Sequence, residues 1–178
     1  MNPTDRPSQQ LAGPSDPYAG LPDDHLLAPA PSIVNEDGAA LPLDTWLRHY
    51  SRRDGIWQEV VSEMYRRAAG VPMVADYFGG VDMDRLQRHF LAAFVVVAGR
   101  GLAVGTVRRM ATAHRHVRNS AGRPITGEAY DAVVATLAGL LTEHGVPPAT
   151  VQQVGAVVAP LRVVIAVDQT PTATGATS

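Results

Sequence analysis

Beyond residue 43, apolar side chains recur at helical spacing almost to the end of the chain. Trp46, Leu47 and Tyr50 mark a short first helix, with Asp44 as its candidate N-cap. A polar break, Ser51–Gly55, separates it from a second helix carrying Ile56, Trp57, Val60, Val61, Met64 and Tyr65 on one side. Gly70 and Pro72 end that helix near Ala69, since glycine suits a helix C-terminus and proline cannot continue one. Asp76–Asp82, DYFGGVD, reads as a tight aromatic–glycine corner. Asp82 then caps a third helix whose inner side is Met83, Leu86, Phe90, Ala93, Phe94 and Val97. Gly99, Gly101 and Gly105 punctuate the next stretch, and a short helix runs through Met110 and His114.

Residues 119–124, NSAGRP, form a loop. Thr126 caps an amphipathic helix with Tyr130, Val133, Val134, Leu137, Leu140 and Leu141 inside, and Gly145 ends it. Pro147 opens the last helix, whose apolar face is Val151, Val154, Val157, Val158, Leu161 and Ile165. Pro160 within it removes one hydrogen bond and bends it. Strand signals are absent, because the valine runs keep helical periods. The pattern predicts an all-α domain over 43–167. Residues 1–42 hold eight of the 14 prolines, which predicts a disordered proline-rich arm. Leu26–Leu27 and Ile33–Val34 are short apolar dots able to touch the domain surface. Residues 168–178 read as a disordered polar tail.

Composition narrows the function classes. A length of 178 residues accommodates one domain plus tails, and 46% hydrophobic residues supply a core. Net charge is −2 without a basic stripe, so no nucleic-acid partner is expected. With no cysteine, disulfides, thiolate chemistry and cysteine-ligated metals are excluded. The N-terminal residues lack the apolar segment of a secretory signal. The run Phe90–Gly99 is far short of the roughly 20 residues that span a bilayer. A soluble, cytoplasmic protein with no membrane partner is expected.

Three segments then carry a resemblance. DYFGGVDMDRLQRHF, PITGEAYDAVVATL and HGVPPATVQQVGAVVAPL resemble the group I truncated haemoglobins. Family spacing is kept without a gap from Tyr65 to Phe90 and again from Ile125 to about Leu161. The resemblance implies a two-over-two helical sandwich around a b-type haem (heme b). Residue by residue, it makes Tyr65 the distal tyrosine and Phe78 the corner phenylalanine against the haem. Leu86, His89 and Phe90 take distal positions. Phe94, Met110, Tyr130, Val133, Leu137 and Val158 take haem-contact positions, and His114 takes that of the proximal iron ligand. Departures exist. Ser51–Gly55 replaces the usual glycine pair, the stretch from His114 to Ile125 is several residues longer, and the Phe90–His114 spacing is slightly irregular. Phe90 stands where a polar glutamine is common. His116 therefore competes with His114 as ligand.

The residues fit the chemistry that the resemblance implies. A haem needs an axial ligand and an apolar slot, and without cysteine the ligand is His, Met or Tyr. The tyrosyl hydroxyl of Tyr65 is suited to donate to bound dioxygen. Leu86, His89 and Phe90 share one helix face. His89 is either an edge residue near a propionate or a second iron ligand, which would make a six-coordinate redox protein. Arg85, Arg88, Arg115 and Arg118 are candidate propionate partners or simply solvated charges. The expected partners are dioxygen, nitric oxide and carbon monoxide, with an unidentified electron donor if bound dioxygen oxidises nitric oxide. The competing reading is a haem-free, globin-shaped interaction or sensor module.

Overall fold

Helical periodicity is realised from Leu43 onward. The computed structural model describes residues 16–35, 37–50 and 55–167. Seven helices lie among these residues: α1 (Leu43–Tyr50), α2 (Ile56–Ala68), α3 (Pro72–Ala75), α4 (Met83–Arg100), α5 (Val104–His114), α6 (Gly127–Glu143) and α7 (Pro148–Ile165). Most boundaries follow from local chemistry. Asp82 caps α4 by accepting a hydrogen bond from the Arg85 amide at 2.9 Å, and Thr126 caps α6 by accepting from the Ala129 amide at 3.2 Å. Gly145, at φ +79°, follows α6 in the left-handed conformation that glycine tolerates best. Pro147 and Pro148 open α7, where missing amide protons cost nothing.

Asp44 does not cap α1 as the sequence predicts. Leu43 already begins the helix, and the Asp44 carboxylate turns inward to Thr45 and Arg48. It lies against Gly99, where an added Cβ would come within 2.9 Å of it. The glycine thus lets α4 approach a largely buried carboxylate.

The main core joins α1, α2, α4, α6 and the start of α7. Leu43, Leu47, Val60, Val61, Met64, Leu140 and Leu141 are nearly or fully buried there. α2 packs on both α4 and α6, while α6 also packs on α3 and α7. α5 packs chiefly on α7. α4 has no comparable contact with α5 or α6. By length and composition α7 could cross a membrane. Its Val154, Val157 and Leu161 are buried, Val163 is exposed, and Arg162 pairs with Asp131 of α6 at 3.0 Å.

The expectation of a disordered arm up to residue 42 and of no strands fails for the part of the arm that is described. Residues 1–15 and 168–178 lie outside the described residues. Strands β1 (Leu26–Ala28), β2 (Ser32–Val34) and β3 (Ala40–Pro42) lie in the described part of the arm, and β4 (Leu102–Ala103) lies between α4 and α5. β2 and β3 form a hairpin, Ile33 opposite Leu41. β1 pairs antiparallel with β4. Each strand is too short to show a period of two, so composition alone gave no strand signal. The prolines do not oppose this structure: Pro29 and Pro31 lie between strands, and Pro42 is the last residue of the edge strand β3, opposite Ser32. Pro31 and Ile33 are buried, and such burial of an isoleucine contributes about 1.5–3 kcal/mol. Ser32 fastens the hairpin to α7: its amide donates to Gln153 Oε1 at 2.8 Å, and its carbonyl accepts from Thr150 Oγ1 at 2.9 Å.

Candidate functional site

The residues singled out by sequence fall into two groups. On the α2–α4 side they form an aromatic chain. Tyr65 meets Phe78 and Phe90 edge-on, both with ring centroids 5.7 Å apart. Phe90 stacks on Phe94 at 5.7 Å, and Phe94 meets Trp57 edge-on at 4.9 Å. Such pairs add about 0.5–1.5 kcal/mol each beyond their buried area. Leu86, Val133 and Leu137 belong to the same cluster. Sequence reasoning gave Trp57 only a packing role, and that is its role here. Its indole Nε1 is buried with no acceptor among the described residues, which costs about 1–3 kcal/mol against the packing of its ring.

Tyr65 is 7% exposed. No described residue exchanges a hydrogen bond with its hydroxyl. Burial pushes the pKa of this phenol well above its ordinary value, so the proton stays on as a donor at neutral pH.

The second group lies on α5, α6 and α7. Met110, Tyr130 and Val158 share a separate apolar cluster with Val107, Val157 and Leu161. The Tyr130 hydroxyl donates to the Val158 carbonyl at 2.7 Å, which fixes α6 against α7 just before Pro160. His114 ends α5 half-buried, and its Nδ1 lies 2.8 Å from the Met110 carbonyl oxygen. A carbonyl can only accept, so Nδ1 carries the proton and donates. The bond holds the ring in one orientation and selects, for the neutral imidazole, the tautomer with its lone pair on Nε2. His116 is exposed.

The long stretch after His114 is a structured loop. Arg118 and Pro124 form an antiparallel bridge, and Asn119 Oδ1 accepts from the amides of Ala121 and Arg123 at 3.1 and 2.9 Å. The loop docks on the corner after α3. The Tyr77 hydroxyl donates to the Pro124 carbonyl at 2.7 Å, and Ser120 Oγ donates to Asp76 Oδ2 at 2.7 Å. The extra residues therefore tie the His114 side of the molecule to the Phe78 corner. Arg118 is spent inside this loop, donating to the carbonyls of Arg115 and Val117.

Of the twelve candidate residues, Tyr65, Phe94 and Leu137 are buried and His89 is exposed. Phe78, Leu86, Phe90, Met110, His114, Tyr130, Val133 and Val158 are half-buried. His89 Nε2 accepts a long hydrogen bond from Arg85 Nε at 3.4 Å. Among the described residues no three His, Asp or Glu side chains converge on one point. A metal held at this site would depend on one imidazole and on a macrocycle that brings its own donors. The described residues offer one imidazole oriented by a hydrogen bond and several apolar side chains left partly uncovered, which are donor and lining types that a haem would need. No protein-family model matches the chain, and no curated protein matches it.

Proposed function

We propose that the chain is a truncated globin that binds a b-type haem between two pairs of helices, with His114 Nε2 as the axial ligand. α2 and α4 make one pair in this reading, α6 and α7 the other. The observation that carries it is the hydrogen bond from His114 Nδ1 to the Met110 carbonyl. A surface histidine has no need of a fixed tautomer, whereas a metal-binding imidazole gains both orientation and basicity from such a bond. His116 is exposed and has no place in this arrangement.

A bound haem would supply the iron chemistry by which dioxygen, nitric oxide or carbon monoxide is taken up. The protein's own residues then have separate tasks. Phe78, Phe94, Met110, Val133, Leu137 and Val158 present an apolar lining to a flat ring. Tyr130 holds α6 against α7 and keeps its ring face in that lining. Leu86 and Phe90 keep water from the distal side. Tyr65 offers its hydroxyl proton to the outer atom of a diatomic ligand, a charge-assisted bond worth more than its counterpart in water. His89 takes the edge position beside Arg85, facing solvent. Oxidation of nitric oxide by dioxygen, with an external electron donor, belongs to the same reading, as does a cytoplasmic, water-soluble protein.

The test is hemin reconstitution followed by absorption spectra of the ferric, ferrous and carbonmonoxy forms. One equivalent of hemin with a strong Soret band and a five-coordinate ferrous spectrum is expected. A six-coordinate ferrous spectrum would replace the edge role of His89 with iron ligation. A protein that stays colourless in excess hemin would leave the haem-free module as the surviving reading.

A further inference from the structure

We propose that residues 16–30 form a clamp on α5, and that Arg108 is the positioning residue through which this clamp sets His114. The His114 half of the proposal rests on the haem reading, and the clamp itself does not.

α5 begins without a cap of its own. The residue before it, Ala103, offers no side-chain acceptor to the free amides of the first turn. The clamp supplies them: the Val104 amide donates to the His25 carbonyl at 3.0 Å, and the Gly105 amide donates to the Asp23 carbonyl at 2.8 Å. One turn on, Arg108 gathers four acceptors, all from residues 16–23. Its Nε donates to Asp16 Oδ2 at 3.0 Å, and its Nη1 donates to Asp23 Oδ1. Its Nη2 donates to the carbonyls of Tyr18 and Leu21 at 3.1 and 3.2 Å. A planar guanidinium is the side chain that can satisfy so many acceptors at once.

The backbone is shaped for the same contact. At Gly101 an added Cβ would fall 2.3 Å from the Ala28 carbonyl oxygen, and at Gly105 it would fall 3.0 Å from Asp23 Cβ. These two glycines, with no side chain, let the clamp lie directly on the helix start. Tyr18, Leu27 and Ala28 then pack into the cluster that contains Val107 and Met110. Met110 is the residue whose carbonyl holds His114 Nδ1. Apart from α7, the clamp and its strand partner β4 are the main support of α5. The route to the imidazole thus runs from Asp16 and Asp23 through Arg108 to the Tyr18 carbonyl, and from Tyr18 through the shared apolar cluster to Met110 and His114.

Amide hydrogen exchange on the full chain tests the clamp, and haem release with the iron–histidine stretching band of the ferrous protein tests its link to His114. Two variants are compared with wild type: Arg108→Ala, and the double change Asp16→Asn with Asp23→Asn, which keeps the arginine and its packing. In both, exchange over residues 107–114 is expected to rise about tenfold or more while α2 and α6 keep their protection. Haem transfer to excess apomyoglobin is expected to quicken about tenfold, and the stretching band to shift. Arg108→Lys, which keeps the charge but not the fork, is expected to recover only part of the protection. Unchanged exchange in α5 overturns the clamp. Faster exchange with an unmoved band and unchanged haem release overturns the positioning of His114. A wild-type chain that takes up no hemin removes the His114 half, and the exchange result then decides the clamp by itself.

Discussion

Tyr65 and His114 are held in different ways, and the difference separates the two sides of the molecule. Tyr65 sits in a wall of interlocked rings, with Phe78 and Phe90 against it and Phe94 and Trp57 behind them. Its position follows from packing, and packing of that kind resists displacement. His114 sits at the far end of a helix with few partners. One hydrogen bond to Met110 orients it, and the helix is seated by a clamp more than 80 residues away in sequence. The Tyr65 side is held by local burial, and the His114 side by long-range attachment. Substitutions in residues 16–30 are therefore expected to reach the His114 side first.

Several substitutions sharpen that contrast. The largest effect on stability belongs to Phe94→Ala, which empties the centre of the ring wall. A loss of about 3–5 kcal/mol is expected in urea unfolding, and a loss under about 1 kcal/mol would show that the wall is not a close-packed unit. Tyr65→Phe keeps the ring and removes only the hydroxyl. Because no described residue exchanges a hydrogen bond with that hydroxyl, folding stability should stay within about 0.5 kcal/mol of wild type. Dioxygen release from the haem-loaded protein should quicken about tenfold, the worth of one hydrogen bond to a charged group. An equal loss of stability would mean that the hydroxyl serves the fold. Tyr77→Phe cuts the bond to the Pro124 carbonyl and should lower stability by about 1 kcal/mol, with faster exchange confined to residues 115–124.

The smallest effect is electrostatic and lies on the outer face joining α2 to α6. Arg67 bridges Glu63 and Glu143 there, at 2.7 and 2.6 Å. Hydrogen bonds from Arg66 and then Arg67 hold Glu63 at a pKa of about 2, below its ordinary 4.5. A carboxylate lowered in the folded state stabilises fully above its unfolded pKa and loses that contribution as pH falls through the folded one. The stability gap between wild type and Arg67→Met should thus be constant at neutral pH and shrink between about pH 4.5 and 2. A gap independent of pH would assign the effect to lost packing of the arginine stem.

Helices with long, regular apolar faces were legible in the sequence. α2, α4, α6 and α7 lie where the periodicity of Ile56–Tyr65, Met83–Val97, Tyr130–Leu141 and Val151–Ile165 put them. Caps by Asp82 and Thr126 were legible too, since the side chain and the amide it bonds are three residues apart. The clamp was not. Its strands are three residues or fewer, its partners are far apart in sequence, and its proline content imitates a free tail. The apolar pairs Leu26–Leu27 and Ile33–Val34, together with Gly101 and Gly105, were the visible traces. At the candidate site, the apolar positions were readable because helical spacing groups them. The different settings of His114 and His116 were not, because they show only in a ring hydrogen bond and in exposure. Arg108 was missed altogether, since four acceptors converge on it only once the clamp has folded back.

Chemical rescue of His114 tests the central claim most directly. His114→Gly should give a hemin-loaded protein that lacks the five-coordinate ferrous histidine spectrum and recovers it when imidazole is added, while His116→Gly should match wild type. A His114→Gly protein whose spectrum equals wild type without imidazole would contradict the assignment.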